Sequence, residues 1–200
     1  TSPDTMVSQI ERGIIDMIGA ARPSIADPFL PKKIEEGRNE DIRECIGCNI
    51  CVSAENTSSL FRCTQNPTAG EEWRRGWHPE KIAAKGSDDG VLIVGAGPAG
   101  LECARALGLR GYTVHLVEAR DDVGGRGTFE SSLPGLAEWA RVRDYRKTQL
   151  AKMKNVEVHT GTELTTQDIL DYGAETVVLA TGSSWRRDGV AYTNAHAIPG

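Results

Sequence analysis

The residues best equipped for chemistry are four cysteines at positions 45, 48, 51 and 63, within the stretch RECIGCNICVSAENTSSLFRC. The first three form a C-x2-C-x2-C run, and eleven residues separate the third from the fourth. Thiolates at successive three-residue steps can all turn inward from one tight loop. A fourth from a separate segment closes the cage, as expected of a four-iron, four-sulfur centre. Four cysteines also make a tetrahedral zinc site, but such sites usually pair two C-x2-C knuckles across a longer gap, which this stretch lacks. Inert or disulfide-bonded cysteines are the third reading. The spacing favours iron–sulfur. Gly47 is small enough to let the loop bend, and the amides of residues 46–52 can donate to sulfur.

A second chemistry sits at residues 91–118. The apolar run VLIV predicts a buried parallel strand, followed directly by Gly95-Ala96-Gly97-Pro98-Ala99-Gly100, a G-x-G-x-x-G turn. A helix over 98–111 and a second strand, TVHLVE, ending on Glu118 complete the unit. Gly95 permits the sharp turn, Gly97 lets backbone approach a pyrophosphate, and Gly100 allows close packing of helix on strand. The helix start, with Pro98 and Ala99, presents free amides and a favourable dipole to phosphate. Glu118, eighteen residues past Gly100, suits ribose hydroxyls and would repel a 2′-phosphate. Alone, the glycine pattern is weak; bracketed by strand, helix, strand and acid, it predicts adenine-dinucleotide or ADP binding. Gly124, Gly125 and Arg126, in the loop DDVGGRG, either approach that nucleotide or form a plain loop. Cys103 lies on the helix and reads as a small core residue.

Several elements must position these groups. Residues 1–13 read as a helix capped by Ser2, with Pro3 in its first turn and Gly13 at its exit. The apolar run 14–20 reads as a buried strand, and 26–37 as a second helix. Strand alternating with helix suggests the last units of a β/α barrel, or equally any α/β sheet. Arg22 follows that strand, where a guanidinium suits either a phosphate fork or a surface ion pair. Trp73 and Trp77, after the last cysteine, read as a cover over the metal or, more in keeping with their setting, an interdomain contact; His78 reads as a surface or capping residue. Residues 133–153 predict a long amphipathic helix whose basic face is solvated surface, followed by strands near 155–161 and 175–182 around a short helix at 165–172. The resulting division is 1–42, end of a barrel; 43–82, cysteine segment; 83–90, linker; and 91–200, nucleotide-binding domain. That last domain reads as incomplete, because its strand order asks for a further strand.

Composition sets outer limits. The chain has 200 residues, 39% of them hydrophobic, and 28 acidic against 23 basic residues give a net charge of −5. No basic block points to nucleic acid or an anionic membrane. No apolar run reaches spanning length, and residues 1–20 lack a signal-peptide pattern. Cysteines clustered for metal imply a reducing, cytoplasmic setting. The start at Thr1 without a methionine reads as a piece of something longer.

The sequences RPSIADP, CIGCNIC, CTQNPTAGEEWRRGWHPEK, VLIVGAGPAG and VVLATG stand in the same order in one family. Across essentially all its residues the chain resembles the iron–sulfur flavoproteins related to trimethylamine, dimethylamine and histamine dehydrogenases, and more distantly the 2,4-dienoyl-CoA reductases. The resemblance implies that residues 1–42 close an FMN-binding barrel and that Arg22 holds the FMN phosphate. It matches Cys45, Cys48, Cys51 and Cys63 to the cluster ligands, with a last gap that is one residue shorter. It matches Gly95, Gly97, Gly100 and Glu118 to a site for ADP in the dehydrogenases or FAD in the reductases. It further implies a small-molecule amine substrate and an electron-transferring flavoprotein as acceptor, and leaves room for a homo-oligomer. The reverse current, from NAD(P)H to an enoyl thioester, and a zinc-stapled nucleotide-binding module are the rival readings. Groups that handle the substrate fall outside these residues, so no catalytic residue is assigned.

Overall fold

Four short runs rich in valine, isoleucine and leucine form one parallel sheet. The computed structural model describes residues 2–191 and 194–196; the other positions of the 183–200 stretch lie outside it. The strands are β1 (Val91–Val94), β2 (Val114–Val117), β3 (Val156–His159) and β4 (Thr176–Leu179), in the order β3-β2-β1-β4. Every pairing is parallel. Strand β1 is central and buried along its whole length, as expected where both faces of a parallel sheet are covered.

The helices, in chain order, are α1 (Pro3–Glu11), α2 (Ala21–Ala26), α3 (Leu30–Glu35), α4 (Ile50–Asn56), α5 (Glu72–Arg75), α6 (Pro98–Arg110), α7 (Arg126–Glu130), α8 (Ala140–Ala151) and α9 (Thr166–Tyr172). Pro98 opens α6, and Gly111, in left-handed backbone, closes it. A reciprocal capping box between Thr165 and Asp168 starts α9. Val91, Ile93, Leu101, Ala104, Val114, Leu116, Leu150 and Val156 form the core on the α6 and α8 face. Leu92, Val94 and Val117 meet Leu164 and Ile169 on the other. Among the described residues, no helix is long and apolar enough to cross a membrane.

Several expectations need correction. Residues 14–20 are not a strand, and most are exposed, Met17 to 84%. A strand needs a neighbour to satisfy its backbone, and among the described residues none lies beside this run. Arg22 therefore stands in the first turn of α2 rather than at a strand end. The predicted helix over 26–37 is only α3, because Asp27 takes extended backbone and breaks it from α2. Helix α8 starts at Ala140, after a 3-10 turn at Ala137–Trp139, so the predicted long helix is shorter. Trp73 is 85% exposed and Trp77 lies open beneath the Arg75 guanidinium, so neither covers a metal nor fills an interdomain contact within the described residues. The four-residue α5 ends at Gly76 in left-handed backbone, too short an element to bury both rings. His78 caps a turn, its Nδ1 accepting from the amides of Glu80 and Lys81.

The basic face of α8 is not wholly solvated either. Arg146 is 3% exposed. Its Nε donates to Glu102 on α6 at 2.8 Å, Nη1 to the Gln65 side chain at 3.0 Å, and Nη2 to the Gln65 carbonyl at 3.3 Å. Glu102 also accepts from Arg105 at 2.6 Å. Burial pushes the Glu102 carboxyl up, but the Arg105 hydrogen bond and the charges of Arg105, Arg146 and Arg43 bring it below its ordinary value. A depressed carboxyl gives stability that is present above its unfolded value and lost as pH falls through the folded one. Two outcomes follow. Arg146→Ala should lower unfolding free energy by about 2–4 kcal/mol in urea denaturation, since Glu102 and Gln65 lose a buried charged partner. Glu102→Gln should flatten the acid limb of stability against pH; an unchanged limb would show that this carboxylate contributes nothing there.

Candidate functional sites

The cysteine segment is built by two left-handed residues, Gly47 at φ 70° and Asn49 at φ 58°. They coil residues 45–49 so tightly that Cys45, Cys48 and Cys51, the last on α4, line one small cavity. Cys63 enters from the return segment and completes the lining, with Ile25 and Ile46 as apolar wall. All four thiols are free, and Cys51 is buried. The Gly47 amide donates to the Cys45 sulfur at 3.4 Å, and the Cys48 sulfur lies 3.1 Å from the Thr64 hydroxyl. Burial pushes the Cys63 thiol up, the amides of Asn66 and Gln65 pull the other way, and neighbouring Cys48 and Cys45 add to the rise.

All four thiols line one cavity, a donor set that either a four-iron, four-sulfur cluster or a single zinc ion would take.

The cavity is fastened from outside by polar contacts that sequence reasoning missed. Asn66, next to Cys63, accepts from Arg43 at 3.0 Å and donates to the Ile25 carbonyl at 3.1 Å. Gln65 donates to the Glu44 carbonyl at 3.0 Å and accepts from Arg146. Asp27 takes the Arg43 amide and the Lys33 ammonium, each at 2.8 Å. Arg141 on α8 pairs with Glu44 at 2.9 Å and donates to the Cys45 carbonyl at 3.3 Å. None of these contacts follows from spacing along the chain. Arg22 lies at the rim of the cavity and donates to the Asn49 side chain.

The second site lies at the end of β1. Gly95 adopts φ 101°, and a Cβ there would stand 2.5 Å from the Ala180 carbonyl oxygen. A Cβ on Gly100 would stand 1.9 Å from the Gly95 carbonyl oxygen. Both glycines are demanded by the fold. Gly97 is different: its backbone is ordinary, φ −70°, and a Cβ would meet nothing within 4 Å. It leaves open a cradle in front of the first turn of α6, where Pro98 and Ala99 are exposed and the amides of Ala99 and Gly100 have no intrahelical partner.

Glu118 follows β2 and is buried at 8% exposure. One carboxylate oxygen accepts from the Ala96 amide at 2.7 Å and the other from Arg120 at 3.1 Å. The acid is thus fixed against the glycine turn, with lone pairs to spare for a hydroxyl. The 121–127 loop folds back over the same turn. The Gly124 amide donates to Ala96 at 2.8 Å, and Gly125, at φ 55°, would bring a Cβ to 3.0 Å from the Gly97 Cα. Arg126 starts α7, donates to the Ser183 carbonyl and stacks 4.8 Å over Trp185. The structure therefore brings Gly95, Gly97, Pro98, Ala99, Gly100, Glu118 and Gly125 together, with Arg126 beside them. Arg22 and the four cysteines form the other group. Cys103 is half-buried against the sheet core, where burial pushes its thiol up.

The two kinds of glycine should separate by experiment. Gly100→Ala should cost about 1–3 kcal/mol or more of stability through backbone collision. Gly97→Ala should unfold like the parent yet retain less adenine nucleotide, measured as nucleotide released per chain on denaturation. Equal nucleotide content in Gly97→Ala would mean the cradle is not a ligand site.

Comparison with known proteins identifies the family. Residues 89–197 match the family described as pyridine nucleotide-disulphide oxidoreductase. The chain is 57% identical over 204 residues to dimethylamine dehydrogenase of Hyphomicrobium sp. (strain x), covering 99% of this chain and 28% of that protein. The structure of histamine dehydrogenase from Rhizobium sp. 4-9 superposes with a TM-score of 0.95 at 60% identity, over 99% of this chain and 29% of that one. NADH oxidase of Thermoanaerobacter brockii is 37% identical over 183 residues, 90% of this chain and 27% of that protein. The chain thus spans less than a third of the length of the relatives it matches.

Proposed function

We propose, for a chain that belongs to the pyridine nucleotide-disulphide oxidoreductase family, that it is part of an oxidoreductase carrying electrons from an amine through FMN and an iron–sulfur cluster to an electron-transferring flavoprotein. The observation that carries this reading is the gathering of Cys45, Cys48, Cys51 and Cys63 around one cavity. The C-x2-C-x2-C spacing, with no second C-x2-C knuckle, weighs against the zinc-stapled alternative. A four-iron cluster bound there supplies one-electron transfer. The chain's own part is to set the conditions around it: Ile25 and Ile46 exclude water, while the Gly47 amide and Thr64 hydroxyl temper charge on sulfur.

Residues 1–42 are assigned to the end of an FMN-binding barrel by family resemblance, with 43–82 as cluster segment, 83–90 as linker and 91–200 as nucleotide domain. Arg22 fits a flavin phosphate, because among the described residues no carboxylate pairs with its guanidinium. The glycine cradle, the α6 amides and Glu118 fit the pyrophosphate and ribose of ADP or FAD. An amine is favoured as reductant because the two relatives at 57% and 60% identity are named for amines. The reverse current has its own support in the NADH oxidase relative at 37%.

Two measurements on the intact protein test the proposal. Iron and acid-labile sulfide should each approach about four per chain and fall sharply in Cys48→Ser; zinc without iron would overturn the electron-relay reading. In anaerobic titration, an alkylamine should bleach the flavin while NADH leaves it oxidised. Rapid bleaching by NADH alone would reverse the direction of the current.

A further inference from the structure

Strands β2 and β3 carry a group of side chains that neither site uses. His115 stands directly opposite Glu157 in the parallel register, and His159 follows two residues along β3 on the same face. The Glu157 Oε2 lies 3.6 Å from His115 Nδ1 and 3.5 Å from His159 Nε2. All three ligand atoms fall within 4.8 Å of one another, the one such set of histidine, cysteine and carboxylate groups among the described residues. The two imidazoles are parallel to within 3° with centroids 5.9 Å apart, and Tyr172 of α9 meets His115 edge-on at 5.8 Å.

We propose that His115, Glu157 and His159 form a binding site for a borderline divalent cation of the zinc class, held by two imidazole nitrogens and one carboxylate oxygen. Bonds of about 2.0–2.2 Å at tetrahedral to octahedral angles set donors roughly 2.9–3.6 Å apart. The two nitrogen-to-oxygen separations already reach that range, so small side-chain rotations complete the set. Two nitrogens and one oxygen exclude the all-oxygen preference of magnesium and calcium and suit zinc, nickel or copper(II). Three protein ligands leave water for the remaining position. The site spans two neighbouring strands, so the bound ion staples β2 to β3. It does so beside the nucleotide cradle, because the Glu118 amide donates to the His159 carbonyl at 2.8 Å.

The test is equilibrium dialysis of zinc ion against the intact protein, followed by elemental analysis. The parent should bind one equivalent that the double variant His115→Asn/His159→Asn loses or holds at least about tenfold more weakly. Zinc bound by the distant thiols would be indifferent to these substitutions, so an isotherm unchanged in the double variant overturns the proposal. Far-ultraviolet circular dichroism checks the fold. Should the double variant fail to fold, Glu157→Gln, which keeps shape and removes the charge, decides by the same criterion. Copper(II) offers a second readout: paramagnetic resonance should show coupling to two imidazole nitrogens in the parent, and the same signal in the double variant would also overturn the assignment.

Discussion

A buried guanidinium stands at the centre of the contacts that hold the two chemically equipped halves of this chain together. Arg146 projects from α8, in the half that carries the parallel sheet, and divides its donors between Glu102 on α6 and Gln65, two residues past the last cysteine. Burial lowers its proton affinity, the Glu102 charge restores part of it, and Arg43 and Arg105 nearby lower it again. A guanidinium remains charged under such pressure because its starting affinity is so high. Removing it would leave Glu102 short of a countercharge and Gln65 short of a donor, both in places water reaches poorly. The position of Cys63 relative to the sheet is thus set by a charged contact with a fixed fork geometry. An apolar contact would have tolerated sliding.

The rest of the junction follows the same pattern. Arg43 is 2% exposed, gives its amide to Asp27 and its guanidinium to Asn66, and lies 5.3 Å over the Tyr145 ring. Lys33, equally buried, is enclosed by Asp27, Glu80 and the Asp41 carbonyl. Asp41 in turn accepts from Gln149 and Lys152 at the end of α8. The cysteine segment is therefore held by polar contacts that run along α8 from Arg141 to Lys152, while the wall of its cavity includes Ile25 and Ile46. Rigid support outside and a dry lining inside are what a redox group needs, since solvent access and sulfur hydrogen bonds set its potential.

How much of this was legible depended on whether the signal was local. The βαβ unit could be read because each step is decided by neighbours in sequence: an apolar run, a turn only glycine fits, Pro98 at a helix start and Gly111 at its end. Residues 14–20 differ from the strand reading because a strand needs a partner, and among the described residues none lies beside them. Arg146 misled for the opposite reason. Its helix has a strongly basic composition, and only the tertiary placement of Glu102 and Gln65 makes one arginine of that face internal. Trp73 and Trp77 find no partner element among the described residues, and nothing in their local sequence says what would cover them.

One atom at the junction has no partner. The Arg43 Nε is buried and makes no hydrogen bond within the described structure, a cost of about 1–3 kcal/mol for a donor cut off from water. Packed hydrophobic residues often stabilise such a position better than buried ion pairs do. Retaining Arg43 here trades stability for orientation. Its amide, its guanidinium and its ring contact fix three different segments at once, carrying Asp27, Asn66 and Tyr145. Asn66 follows Cys63 by three residues, and Arg43 precedes Cys45 by two. The same residue that leaves a donor unsatisfied therefore sets the relative placement of the first and last thiols, which no local turn between them could enforce.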